Sequence, residues 1–79
     1  MHVDTLKDAL AAEPFVPFVL RFGSGRTIEV ANPGLVAVSS NGRSAYVFNP
    51  KGEGGSFVDV LLIEAIEFPP PPRRQRRAG

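Results

Sequence analysis

The sequence closes on its densest group of chemically active side chains. Arg73, Arg74, Arg76 and Arg77 fall within five positions, directly after Pro69, Pro70, Pro71 and Pro72. Guanidinium groups pair bidentately with phosphate or carboxylate oxygens. An arginine arm of this kind binds RNA through the backbone, and each phosphate contact adds to the salt dependence. The spacing Pro69-x-x-Pro72-x-Arg74 also fits a proline-rich ligand, because consecutive prolines favour the extended polyproline II form that aromatic-lined grooves accept. The plainer reading is a solubilising terminus without regular structure. All three readings remain open at the level of sequence.

The other polar groups offer less chemistry. Nucleophilic catalysis needs a nucleophile beside a positioned base. There is no cysteine, the one histidine is His2, and four of the five serines, Ser24, Ser39, Ser40 and Ser56, lie in or beside turn sequences. These short hydroxyl side chains suit turns, so no catalytic residue is assigned. Asp59, Glu64 and Glu67 crowd the last strands, but a carboxylate pair works as acid and base only across a cleft, and a domain of this size leaves little room for one. They read as a solvated strand edge that discourages aggregation. Asp59 also stands where its carboxylate can cap the following turn, Leu61 to Ile63. Gly52-Glu53-Gly54-Gly55 lacks the lysine and the following helix of a phosphate loop, and reads as a hairpin tip. Lacking cysteines and a second histidine, the chain shows no metal or cofactor site. Of the aromatic residues, the six phenylalanines read as mostly inward, and Tyr46 alone is placed on an outer face, as a contact for a partner or a base.

Charge separates the chain into two parts. Residues 1–68 carry five basic and eight acidic groups, net −3, and the four arginines lie in residues 69–79. We therefore read one small domain over residues 1–68 and a Pro/Arg-rich tail over residues 69–79. A chain of this size buries only about 60% of its unfolded surface. With neither disulfide nor metal to staple it, packing or association must supply stability. This favours a homo-oligomer or a protein partner. The longest apolar run, Val60-Leu61-Leu62-Ile63, is far short of the ~20 residues that span a bilayer. The mixed-charge start, Met1 to Asp8, has no signal-peptide core. The expectation is a cytoplasmic protein with no membrane contact.

The elements that position these groups follow from periodicity. Leu6, Ala9 and Leu10 recur at helical spacing, so residues 5–13 read as a short helix that Pro14 ends. Thr5 and Asp8 form a weak capping pair. So short a helix must dock, and an open end of the sheet is the expected place. Phe18, Leu20 and Phe22 alternate with Val19 and Arg21, a strand with one apolar face. Gly23-Ser24-Gly25 turns it into Thr27-Ile28-Glu29-Val30. Asn32-Pro33-Gly34 breaks the chain before a third strand, Leu35 to Val38. Asn41-Gly42 is the strongest hairpin signal and leads into a fourth strand, Ser44 to Phe48. Ser56 to Val60 gives a fifth, Leu61 to Ile63 a tight 3₁₀ turn, and Glu64 to Phe68 a last strand.

Two resemblances follow from these residues. The pattern Leu10-x3-Pro14-Phe15-x-Pro17-Phe18-x-Leu20, continued by Gly25-Arg26, Val30, Val36-Ala37-Val38-Ser39, Gly42-Arg43 and Asp59 to Leu62, resembles a group of short, uncharacterised bacterial proteins. It covers about residues 6–68 and implies a shared fold signature without an activity. The order of elements is similar to SH3-like barrels, and among them to Sm-like proteins, which place a helix before a bent barrel. That likeness implies fold alone. Where the bacterial Sm-like RNA chaperone carries a Tyr-Lys-His-type motif, this chain has Phe57-Val58-Asp59-Val60, so RNA binding by the barrel face is not implied.

The sequence thus reads as a mostly-β protein: a small SH3-like or Sm-like barrel of five to six short antiparallel strands with one N-terminal helix. Its expected function is that of a non-enzymatic interaction module, self-associating or an accessory subunit. The alternative is RNA or nucleoprotein binding led by the arginine tail.

Overall fold

A computed structural model describes residues 1–69. One helix, α1 (Val3–Ala11), precedes six strands: β1 (Phe18–Phe22), β2 (Thr27–Val30), β3 (Val36–Val38), β4 (Ser44–Phe48), β5 (Gly55–Asp59) and β6 (Ile63–Glu67). They form two three-stranded antiparallel sheets, in the orders β2-β1-β6 and β3-β4-β5. The strand count, the antiparallel pairing and the single helix match expectation. A closed barrel is not seen.

β1 organises the first sheet. Its alternation is reproduced residue by residue, with Phe18, Leu20 and Phe22 buried and Val19 and Arg21 on the outer side. Leu20 pairs with Ile28 on one flank and with Ile66 on the other. The β1–β6 register slips between Arg21 and Phe22, which leaves Glu64 as the extra residue of a bulge. From the second sheet, Ala45, Val47 and Val58 face the same core. Val60, Ile63, Val30 and Leu6 complete it, all with 2% or less of their surface exposed.

The ends of the elements are set by side chains that bond their own backbone. Helix α1 starts two residues earlier than its apolar stripe suggests, because His2 rather than Thr5 caps it: His2 Nδ1 accepts the Asp4 N–H at 3.1 Å. It stops at Ala11, and Ala12 is already extended. Leu35 leaves the third strand for a 3₁₀ turn, Pro33–Leu35, nucleated by Asn32 Oδ1 accepting the Gly34 N–H at 3.0 Å. The second 3₁₀ turn, Val60–Leu62, forms one residue before the expected position, so β6 begins at Ile63. Its cap is the expected one, with Asp59 Oδ1 accepting the Leu61 N–H at 2.9 Å.

Helix α1 docks through Leu6, which is fully buried, and through Val3, which lies against Gly42 in the β3–β4 turn. The backbone nitrogen of Met1 donates to the carbonyls of Leu61 and Ile63. The helix is thereby held beside the β5–β6 junction. No helix among the described residues is long and apolar enough to cross a membrane.

Candidate interaction surface

The outer face of the second sheet is aromatic, and strand register explains how. Odd and even positions of β4 divide cleanly: Ala45 and Val47 enter the core, while Tyr46 and Phe48 point away. In β5, Val58 is inward, so Phe57 and Asp59 are outward. The antiparallel pairing sets Tyr46 directly opposite Phe57 and Phe48 opposite Gly55. Three rings therefore share one face. Tyr46 and Phe48 meet edge to face at 4.8 Å between centroids, and Tyr46 and Phe57 lie 6.5 Å apart.

Gly55 makes this arrangement possible. A Cβ there would sit 2.8 Å from Tyr46 Cε2 and 2.4 Å from the Val47 carbonyl oxygen. The tyrosine ring thus leans over a position that has no side chain. It is half-buried by its neighbours, whereas Phe57 keeps 73% of its surface exposed and Phe48 46%. Leu61 and Leu62, on the capped 3₁₀ turn, are exposed as well. Phe57 and Leu62 line one groove of about 450 Å³ with Phe22 and Arg26. Tyr46 and Phe48 line another, about 390 Å³, with Leu35 and Pro50. The result is an apolar band running from Phe48 through Tyr46 and Phe57 to Leu62.

Tyr46 stands on the outer face, as read from sequence. The inward placement of the phenylalanines needs correction: Phe48, Phe57 and Phe68 are all substantially exposed. Parity already carried the signal for two of them. Phe57 shares its side of β5 with Asp59, and Phe48 shares its side of β4 with Tyr46. Phe68 is a different case, since it follows β6 and packs edge to face on Phe18 at 5.9 Å.

The first sheet presents an opposite character. Its outer face centres on Arg21, whose Nε and Nη2 donate to Glu67 Oε2 at 2.9 and 2.8 Å, with Glu64 Oε1 3.5 Å from Nη1. These carboxylates therefore sit in an ion-pair cluster across β1 and β6. Three of the candidate serines are tied into local structure. Ser39 Oγ bonds Asn41 and the Ser44 N–H, Ser24 Oγ accepts the Arg26 N–H, and Ser56 Oγ accepts from Arg26 Nη2 at 2.8 Å. Among the described residues, no group of three or more His, Asp or Glu side chains is disposed to hold a metal ion.

Pro69 lies in a groove of about 220 Å³ with Pro17, Val19 and Glu29. Pro72, Arg73, Arg74, Arg76 and Arg77 lie outside the described residues. No protein-family model, curated protein or solved structure matches this chain.

Proposed function

We propose that this chain is a non-enzymatic interaction module that binds a second copy of itself through the aromatic face of its second sheet. The observation that carries the reading is the Tyr46–Phe48–Phe57 cluster, continued by Leu62. Aromatic residues are enriched at interface centres. A contiguous apolar patch on a small domain marks an interaction site more often than isolated apolar residues do. The need for added stability in a chain with no cysteine points to a like partner. In an accessory-subunit arrangement the same face would meet a different chain.

The fold reading that accompanies this proposal is an SH3-like or Sm-like barrel. Support comes from the sheet orders β6-β1-β2 and β3-β4-β5, from the 3₁₀ turn between β5 and β6, and from the helix ahead of the first strand. A cytoplasmic location accords with the lack of cysteine.

Multi-angle light scattering of the full chain tests the proposal. At micromolar concentration the wild type should show a mass above that of one chain, and Phe57→Ser should return it to monomer. A wild type that stays monomeric across that range overturns self-association. The second reading, RNA binding, rests on the concentration of positive charge in Arg73 to Arg77. Replacing the four arginines by glutamine should abolish RNA retention on a filter; retention equal to wild type would dismiss it.

A further inference from the structure

We propose that two copies of this chain join through the open edges of their β5 strands. The strands run antiparallel about a two-fold axis at Phe57, and the two second sheets become one continuous sheet. This inference rests on the self-association proposed above and names the strand and the register that carry it.

Hydrogen-bond parity identifies the free edge. β5 pairs with β4 alone. At the two ends of that ladder, Asn49 N–H donates to the Gly54 carbonyl and Val60 N–H to the Arg43 carbonyl, both at 2.9 Å. Bonded and non-bonded pairs alternate along antiparallel strands. Val47–Ser56 and Ala45–Val58 are therefore the bonded pairs, and Phe48–Gly55, Tyr46–Phe57 and Ser44–Asp59 the non-bonded ones. The backbone N–H and C=O groups of Gly55, Phe57 and Asp59 thus point away from β4, along an edge that no strand of the chain covers. The other edges are guarded. β3 has three residues, and β2 carries the exposed Glu29. At β6 the Met1 nitrogen already occupies the Ile63 carbonyl, and Pro69, two residues past the strand, has no N–H to give. Short strands, charges and proline are the usual protections of an edge. The middle of β5 instead carries Phe57, the most exposed large apolar side chain among the described residues.

The free groups select both the partner and the register. Three alternate residues with both backbone groups unpaired are complementary to the same three residues reversed. Centring the axis on Phe57 sets Phe57 opposite Phe57 and Gly55 opposite Asp59, and uses all three. A shift by two residues in either direction leaves one of them without a partner. In the centred register the Phe57 side chains become cross-strand neighbours on one face. An aromatic row then runs Tyr46, Phe57, Phe57, Tyr46 across the two copies. Asp59 meets glycine, so like charges stay apart. Opposite charges approach. Arg26 Nη2 donates to Ser56 Oγ at 2.8 Å, which places the guanidinium toward one end of the groove beside β5, with Asp59 toward the other. Among the described residues, neither Arg26 nor Asp59 has an ion-pair partner in its own copy. Reversal about the axis brings Asp59 of each copy toward Arg26 of the other. Phe22 and Leu62 supply the apolar wall of the same groove.

Isotope-filtered NOE spectroscopy on a mixture of isotope-labelled and unlabelled full-length chain tests the register. Ser56 of one copy faces Val58 of the other as a non-bonded pair, the arrangement that brings two α-protons close. Within one extended strand the same two protons are far apart. A Ser56–Val58 α-proton cross-peak between copies is therefore expected. Amide exchange gives the second readout. Where nine chains in ten are paired, the Phe57 N–H should exchange about tenfold more slowly than in dilute solution. The Glu29 N–H is the control. Phe22 N–H donates to the Arg26 carbonyl, so alternation along β1 and β2 turns Glu29 N–H outward, and its rate should not change with concentration. Chains that associate by light scattering but lack either the cross-peak or the slowed Phe57 exchange overturn the edge pairing and leave self-association standing. Cross-peaks that join β5 to β6 of another copy overturn it in the same way. Chains that stay monomeric at every concentration overturn both.

Discussion

Two glycines show how single positions decide what this surface becomes. Gly42 has φ +74°, a left-handed conformation, and a Cβ on it would come 2.9 Å from Val3 Cγ1 of the docked helix. Gly42→Ala therefore meets both a backbone penalty of about 1 kcal/mol or more and a contact that the helix must yield to. We expect thermal unfolding to show a loss of about 1–3 kcal/mol, in the range of overpacked sites. Gly55 is different in kind. Its nearest obstacle is backbone, the Val47 carbonyl, with the Tyr46 ring just beyond. Gly55→Ala should displace the β4–β5 edge and the ring together. Near-ultraviolet circular dichroism, which reports the packing of the one tyrosine, should change more than the far-ultraviolet signal does. An unchanged near-ultraviolet spectrum would mean that the ring does not depend on the space at Gly55.

At the scale of elements, the helix is the part whose anchoring is simplest to test. Leu6 is its only fully buried side chain. Leu6→Ala removes the main contact between α1 and the sheets, with an expected cost of about 2–5 kcal/mol. In a domain of this size that is a large fraction of total stability, and chemical denaturation should show the midpoint falling sharply. The helix itself was legible in the sequence from Leu6, Ala9 and Leu10, as was β1 from Phe18, Leu20 and Phe22. The hairpins were legible because Gly23-Ser24-Gly25 and Asn41-Gly42 leave the chain few other conformations. Element ends were less so. They depend on which nearby side chain wins a backbone N–H, and at Asn32 and His2 the winner lay three and four residues outside the apolar pattern. The aromatic face was half legible. Tyr46 was placed outward, yet Phe48 and Phe57 were read as core because size and hydrophobicity outweighed strand parity in that reading. Closure of the sheets was not legible at all, since it depends on how two sheet edges approach rather than on the pattern within any strand.

For the whole molecule, the two sheets divide the labour between charge and apolar surface. The first sheet shows Arg21 bracketed by Glu64 and Glu67, together with Glu29; the second shows Tyr46, Phe48 and Phe57. This division separates the energetics of folding from those of association. Arg21 and its partners are about half exposed, and exposed ion pairs contribute about 0–1 kcal/mol, so Arg21→Ala should alter stability little and leave the molecular mass by light scattering unchanged. Phe57 contributes little to its own domain's core, yet it lies at the centre of the apolar band. A partner that binds only the folded chain raises the melting temperature with protein concentration. The wild type should therefore melt higher as concentration increases. Phe57→Lys, which sets a charge in the middle of the band, should melt at one temperature throughout the series, close to that of the dilute wild type. If the wild type also melts at a concentration-independent temperature, the aromatic face is not used between copies of this chain. If Phe57→Lys retains the concentration dependence, the copies meet elsewhere, and the unpaired edges of β5 and β6 are the next surfaces to substitute.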